Sequence, residues 1–271
     1  MALSVATNVG ALHAAKSAQA VNASMETSMA RLASGKRINT AADDSAGIAI
    51  ASRLTSEARG YDMAYRNAAD AQSLIDTAES GMVEIENILQ RIHELSVQGA
   101  SDTASTKDRD NIVHEMTALV AEITNIAADT KWGGQTVLDA ANSFVIQLGN
   151  EASETVTIAA TDMTVATLGI SAASATQASM SSTITAATGA IEKVAVARAK
   201  LGAESNRMDY AMQHFANTST QIKSSLGRVQ DTDYAAETTN LAKTQILQQA
   251  ATSMLAQANA SKQSVLQLLQ G

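Results

Sequence analysis

The chain has 271 residues and a formal net charge of −8, with no Cys, no Pro and 3% aromatic residues. The lack of Cys excludes disulfides, thiolate nucleophiles and Cys-based metal sites, and the acidic balance argues against nucleic acid or an anionic membrane as a partner. No apolar run is long enough to span a bilayer, and residues 1–10 lack the basic-then-apolar pattern of a cleavable signal peptide.

The first 33 residues carry apolar side chains at helical spacing. Val9, Leu12, Met25 and Leu32 belong to one stripe with about 3.5 residues per step, which predicts an amphipathic helix. Ser34 and Gly35 interrupt this stripe. Thr40 and Asp43 then stand in the spacing of a capping box, which predicts that the next helix starts there.

The longest helical pattern runs from about residue 48 to residue 98. Its apolar positions follow in steps of three or four without interruption: Ile50, Leu54, Ala58, Tyr61, Tyr65, Ala68, Ala71, Ile75, Ala78, Met82, Ile85, Leu89 and Ile92. A polar turn at 99–107 follows, and residues 108–129 resume the helical spacing. We predict a long helix and a second helix that folds back on it.

The middle of the chain has a different pattern. Alternating apolar residues between Phe144 and Ile158, around a turn at 149–153, predict a β-hairpin. Residues 171–188 are nearly all Ser, Ala and Thr, a composition typical of a connector or surface loop that buries little.

Helical spacing returns near residue 190. Val194, Leu201, Met208, Phe215, Ile222 and Val229 recur every seven residues and predict a partner for the first long helix. We expect Leu54, Ile75 and Ile85 to pack against Leu201, Met208 and Phe215. After Asp231–Asp233, a last helix over 235–269 carries an apolar face, made of Leu247, Ala250, Met254, Ala258, Ser261, Val265 and Leu268. The predicted fold is mainly α, a long antiparallel helical bundle or coiled coil with a small β-hairpin region in the middle.

Enzymatic motifs are incomplete. His93 and Glu94 begin a metalloprotease-like pattern, but Val97 stands in place of its second His. The four His residues are scattered along the chain. We therefore expect a protein that is not an enzyme and that has no metal and no cofactor.

Four long segments resemble the conserved ends of bacterial flagellins. Residues 31–60 (RLASGKRINTAADDSAGIAIASRLTSEARG) and 89–100 (LQRIHELSVQGA) resemble the N-terminal part, and residues 197–210 (ARAKLGAESNRMDY) and 228–259 (RVQDTDYAAETTNLAKTQILQQAATSMLAQAN) the C-terminal part. The resemblance covers roughly residues 1–135 and 190–271. It implies an extracellular filament subunit for swimming motility, exported unfolded by the flagellum's own type III apparatus.

The resemblance also implies a division of the chain. The terminal helices, 1–40 and 232–271, would form the inner coiled coil of the filament, and 41–231 a helical rod domain. The hairpin and connector at about 135–190 would replace a large outer domain. Filament-core packing would fall to Val9, Leu12, Met25, Leu32, Leu247, Met254, Leu255, Val265 and Leu268.

The family's partners are implied as well. The motif for Toll-like receptor 5 matches Gln90, Arg91, Glu94, Leu95 and Gln98, with Glu115 on the following helix; the same residues could equally form a subunit–subunit face. An export chaperone would bind residues 235–271, and hook-associated junction and cap proteins would meet the filament. The alternative is a hook–filament junction protein, which shares similar ends.

Overall fold

A computed structural model describes residues 7–139, 143–159, 161–171 and 174–270, and only the backbone of 265–270. The described residues form six helices and four short strands, in the order α1 (Val9–Ser34), α2 (Ser45–Ala100), α3 (Thr106–Asp129), β1 (Lys131–Trp132), β2 (Gln135–Thr136), β3 (Ser143–Gln147), β4 (Thr155–Ala159), α4 (Val165–Leu168), α5 (Gln177–Gln230) and α6 (Tyr234–Gln270). The predicted fold class is confirmed: the protein is mainly α with a small β region.

Local signals set the helix ends. Gly35 adopts a left-handed conformation (φ 70°) and ends α1, as glycine commonly does. Ser105 and Asp108 form a reciprocal capping box at the start of α3. The box predicted at Thr40 and Asp43 is wrong as a cap of α2. The carboxylate of Asp43 accepts a hydrogen bond from the Thr40 N–H within the turn that precedes α2. It is the carboxylate of Asp44 that accepts the Gly47 N–H, at 2.8 Å, in the first turn of α2.

The β region consists of two antiparallel pairs. β3 and β4 form the predicted hairpin, with Phe144 opposite Ile158. The pair β1–β2 was not predicted. Its turn is Gly133–Gly134, and both residues have positive φ values (56° and 85°), the requirement of the tight turns that join hairpin strands.

The chain divides into two compact units, which we call the terminal unit (residues up to 56 and from 221) and the central unit (57–220). The terminal unit has nine Lys and Arg against six Asp and Glu, a formal charge of +3. The central unit has ten Lys and Arg against twenty-one Asp and Glu, a formal charge of −11. Copies of the chain therefore repel each other chiefly through their central units, and salt screens this repulsion.

In the central unit, α5 is antiparallel to α2. The amide of Gln177 donates to the carbonyl of Ala100, near the end of α2. The hydroxyl of Ser219 donates to Asp62, about 38 residues earlier on α2. The α3 helix returns along the same stretch, since Arg109 donates to the carbonyl of Gly99 and Arg91 to Glu115.

The hydrophobic core of the central unit contains five of the six predicted core residues: Ile75, Ile85, Leu201, Met208 and Phe215. Leu54 is half-buried and lies outside this cluster, in the terminal unit. Two members of the predicted stripe are exposed, Ile50 and Tyr65, while Ala51 and Ala64 are buried. At both places the buried position is therefore the residue next to the predicted one. A methyl group fits where two helices approach closely, and a large side chain does not.

The connector predicted at 171–188 is wrong from residue 177 onwards. There α5 has already begun, and Met180, Thr183 and Ala187 are buried. Met180 packs against Gly99, so closely that a Cβ at position 99 would lie 3.0 Å from its sulfur. Small side chains hide the helical period in the sequence, but they allow this close packing.

Candidate assembly and recognition surfaces

The two terminal helices form an antiparallel pair. The side-chain amide of Asn8 donates to the carbonyl of Ala258 at 3.1 Å, and Arg31 lies 3.7 Å from Glu237 at the other end of the pair. The less exposed positions follow a heptad on each helix, Ala11, Ala14, Ala18, Val21, Met25, Ser28 and Leu32 on α1 and Glu237, Leu241, Thr244, Gln248, Ala251, Leu255 and Ala258 on α6. The seam is thus mostly alanine and polar residues.

Several large apolar side chains of this pair lie outside the seam, while Val21, Met25, Leu32, Leu241 and Leu255 lie within it. Val9 (53% exposed), Leu12 (61%), Ile246 (67%) and Met254 (64%) are exposed, and so is Leu247 (42%). An apolar helix face left uncovered in this way is typical of a surface that meets another molecule.

The residues predicted for filament-core packing are accordingly divided. Met25, Leu32 and Leu255 lie half-buried in the seam, and Val9, Leu12, Leu247 and Met254 are exposed. Val265 and Leu268 belong to α6, but their side chains lie outside the described part of the chain. The seam to α1 runs through Gln248, Ala251 and Leu255, beside Leu247 and Met254, and it includes Ala258 of the predicted apolar face.

The link between the helices is also fixed by backbone contacts. The N–H of Arg37 donates to the carbonyl of Gln230 at 2.7 Å, and its guanidinium to the carbonyl of Val229 at 2.8 Å. The N–H of Thr232 donates to the carbonyl of Gly35 at 3.0 Å. The first two bonds satisfy carbonyls at the end of α5, and all three tie the segment after α1 to the segment that joins α5 to α6.

The second surface lies on α2 and α3 of the central unit. Nε and Nη2 of Arg91 lie 3.0 and 2.9 Å from Oε1 of Glu115, and Nη1 lies 3.2 Å from Oε2 of Glu94. The hydrogen bonds to Glu115 and then to Glu94 raise the pKa of the Arg91 guanidinium above its ordinary value. All three side chains are about half exposed or more, so the group forms an ordered, accessible charged patch.

The predicted receptor residues are not all on this surface. Gln90, Arg91, Glu94, Gln98 and Glu115 are exposed, whereas Leu95 is 2% exposed and belongs to the core. The pattern missed Val97, which is 51% exposed between the polar residues of the same face. Helical spacing could have found it, since positions 90, 94 and 97 share one face.

Neither surface carries the elements of a catalytic or metal site. Within residues 7–139, 143–159, 161–171 and 174–270, no group of three or more His, Asp or Glu side chains is arranged to hold a metal ion. No helix in the same residues is both long and apolar enough to cross a bilayer. A helical chain that pairs its two ends and leaves bulky apolar side chains on that pair uncovered has the architecture of a self-assembling structural protein.

Comparison with known proteins identifies the family. Residues 5–143 match the bacterial flagellin N-terminal helical region, and residues 184–269 match the bacterial flagellin C-terminal helical region. The chain belongs to the bacterial flagellin family, whose members are structural subunits of the flagellar filament.

Individual relatives agree over nearly the whole chain. The flagellin of Halalkalibacterium halodurans is 36% identical over 90% of this chain and 91% of its own length. The flagellin of Bacillus subtilis is 34% identical over 97% of this chain and 98% of its own length. Among solved structures, Bacillus cereus flagellin is 31% identical, with a TM-score of 0.51 over 55% of this chain and 88% of its own.

One further structure agrees in fold alone. A protein described as flagellar hook-associated, from Vibrio parahaemolyticus, superimposes with a TM-score of 0.58 over 70% of this chain and 100% of its own, at 12% identity.

Proposed function

We propose that this chain polymerises with copies of itself into the flagellar filament through α1 and α6. In this proposal residues 1–40 and 232–271 form the inner coiled coil of the filament, and residues 41–231 form a helical domain around it. The supporting observation is the exposure of Val9, Leu12, Ile246 and Met254 outside a seam in which Ala and polar residues occupy nine of fourteen positions.

The uncovered side chains can supply the free energy of assembly. Burying one Leu, Ile, Val or Met side chain contributes about 1.5–3 kcal/mol. Association costs on the order of 4–15 kcal/mol in lost rigid-body freedom. Four such side chains on each copy are therefore of the right magnitude to drive polymerisation, whereas contacts through the acidic central unit alone would have to overcome charge repulsion.

Seeded elongation tests this proposal. Purified wild-type chain is added to short filament fragments, and filament length is followed by electron microscopy. Ile246→Ser and Met254→Ser should strongly reduce elongation, because they remove apolar contact area without affecting the seam to α1. The control is Val196→Ser, at a 50% exposed position of the central unit. Normal elongation by both α6 variants would contradict the proposed role of this face.

The same experiment separates the alternative, a hook–filament junction protein. That alternative draws support only from the likeness in fold to the hook-associated protein. Continued growth to micrometre filaments supports the filament subunit. A stop after one layer of bound chain would support the junction protein. The junction and cap proteins themselves remain proposed partners at the two ends of the filament.

We also propose that the chain leaves the cell through the flagellar export apparatus, held beforehand by an export chaperone on α6. The exposed Ile246 and Met254 are the apolar groups that such a chaperone would cover. Pull-down of the chain with the purified chaperone tests this, with a variant that ends at residue 233 as the comparison. Equal binding by both would place the chaperone site elsewhere.

A second proposed role is recognition by Toll-like receptor 5 at the patch of Gln90, Arg91, Glu94, Gln98 and Glu115. The exposed Arg91–Glu115 pair supports this, because it offers ordered charged groups to a partner. Arg91→Ala should weaken receptor activation in a reporter-cell assay, and Arg207→Ala, at an exposed salt bridge on α5, is the matched control. Leu95→Val should act only through packing.

A further inference from the structure

The terminal unit contains a groove between α1 and α6 of about 470 Å³. Ser24, Ser28 and Arg31 line it from α1, and Glu237, Lys243 and Leu247 line it from α6. Its wall is about equally polar and apolar, and Leu247 belongs to the apolar residues that the helix pair leaves exposed. The groove therefore offers room and mixed chemistry for the side chains of another helix.

The charges of the groove are incompletely satisfied. Arg31 lies 3.7 Å from Glu237, which is 8% exposed, but the buried Nε–H of Arg31 has no acceptor among the described residues. Lys243 is exposed and forms no ion pair or hydrogen bond within the described part of the chain. Two cationic groups thus face one carboxylate, and a second carboxylate would balance them.

Carboxylates are scarce on these two helices. Between Val9 and Ser34, and between Tyr234 and Gln270, the sequence has only Glu26 and Glu237. Glu26 is exposed and, like Lys243, has no ion pair or hydrogen bond among the residues described. It is therefore the one acidic side chain of the terminal helices that is available to a neighbouring molecule.

Glu26 lies on the side of α1 opposite to the groove. Ser24 and Ser28 line the groove, and Glu26 is two residues from each, which is about 200° around a helix of 3.6 residues per turn. It also lies at the same height along α1. One copy beside another at equal height thus presents Glu26 to the groove of its neighbour.

We propose that the groove receives the α1 helix of a second copy of this chain, with its Glu26 carboxylate paired to Lys243 beside the Arg31 guanidinium. This inference rests on the proposed self-assembly and names one contact of it. The contact is heterologous, because each copy gives Glu26 on one side and a groove on the other. Such a contact can repeat from copy to copy, in a ring of neighbours or, with a small rise, in a helical filament.

A charge exchange tests the contact. Full-length wild type, Glu26→Lys, Lys243→Glu and the double variant are compared by the critical concentration for seeded elongation. Each single reversal places like charges together and should raise it about tenfold. The double variant, and an equimolar mixture of the two single variants, should return to within about twofold of wild type. In the mixture, alternating copies meet with opposite charges at every contact.

Controls separate this contact from general effects of charge. Lys107→Glu makes the same change of net charge as Lys243→Glu, at an exposed position of the central unit, and should leave the critical concentration within about twofold. Circular dichroism of the monomers checks folding, which both exposed sites should leave intact. If the single variants have the critical concentration of wild type, or if their mixture assembles no better than each alone, the proposed contact is overturned. The proposed self-assembly is not affected by either result. Wild type that never elongates seeds would overturn the proposed function itself.

Discussion

Arg198 on α5 places its Nη2 atom 2.7 Å from Oε1 of Glu79 on α2. Its Nη1 atom also hydrogen bonds to Glu86. The hydrogen bond to Glu79, followed by the one to Glu86, raises the pKa of the Arg198 guanidinium above its ordinary value. The two carboxylates are seven residues apart, roughly 10 Å along a helix. One guanidinium therefore fixes the height at which α5 meets α2.

Replacement of this guanidinium should destabilise the central unit. For Arg198→Gln we expect a loss of about 1–2 kcal/mol, below the 3–5 kcal/mol of a fully buried pair, because the side chain is about one-third exposed. Urea denaturation of the monomer measures this. The control is Arg207→Gln, which removes an exposed i,i+3 pair with Glu204 and should cost at most about 0.5 kcal/mol. Equal effects would contradict the importance of the bridge.

The phase of the α2 stripe can be tested with one substitution at two positions. Ile85→Ala should cost about 2–5 kcal/mol, because Ile85 is fully buried and its truncation leaves a cavity. Ile50→Ala, at a 43% exposed position of the same helix, should change stability by no more than about 1 kcal/mol. Thermal unfolding of monomers gives both values. A larger loss of stability for Ile50→Ala than for Ile85→Ala would show that the buried face of α2 is the one that contains Ile50.

The cap of α3 should be lost at acid pH. The Ser105 hydroxyl, and then its backbone N–H, hold the pKa of Asp108 below the ordinary 3.8. A carboxyl whose pKa is lower in the folded chain stabilises the fold fully above its unfolded pKa, and this contribution disappears as the pH falls through the folded value. NMR titration of the carboxyl carbon should give a value below 3.8. Ser105→Ala should move it upward, whereas an unchanged value would argue against the box.

Two glycine substitutions should have opposite signs. Gly35→Ala should destabilise the terminal unit by about 1 kcal/mol or more, because φ is 70° there and a Cβ would lie 3.0 Å from the Tyr234 hydroxyl. Gly202→Ala, in the middle of α5 with nothing within 4 Å of the added Cβ, should stabilise by about 0.5–1 kcal/mol. The denaturant midpoint of each variant measures its change in stability. Changes of the same sign for both variants would contradict this prediction.

Apolar spacing in the sequence was enough to predict most of the fold. The helices α1, α2, α3 and α6 and the β3–β4 hairpin were expected where they occur, because large apolar residues mark their period. The start of α5 was missed, since Ser, Thr and Ala give almost no periodic signal although Met180 and Ala187 are buried. The β1–β2 pair was also missed, because two-residue strands carry no pattern apart from their glycines.

The surfaces were less predictable than the fold. Leu95 was assigned to a receptor face from a motif, although its helical position, three residues after Ile92, is a core position. On α6 two neighbouring heptads could supply the contact with α1, and the sequence does not show which of them does. In the structure Gln248 and Ala251 lie in the seam, whereas Leu247 and Met254 are exposed. Packing within one chain and packing between copies both require apolar residues at helical spacing, so a single sequence does not distinguish them.

The alanine-rich seam has a consequence for the chain before it joins other copies. When α1 and α6 separate, water gains methyl groups, hydroxyls and amides from residues such as Ala18, Ser28, Thr244 and Gln248, together with five larger apolar side chains such as Met25. Only five of the fourteen seam positions carry large apolar side chains, so opening this pair exposes less apolar area than opening a leucine-rich coiled coil of equal length. Separation of the two ends therefore costs less free energy than in such a coiled coil, and the ends can close again.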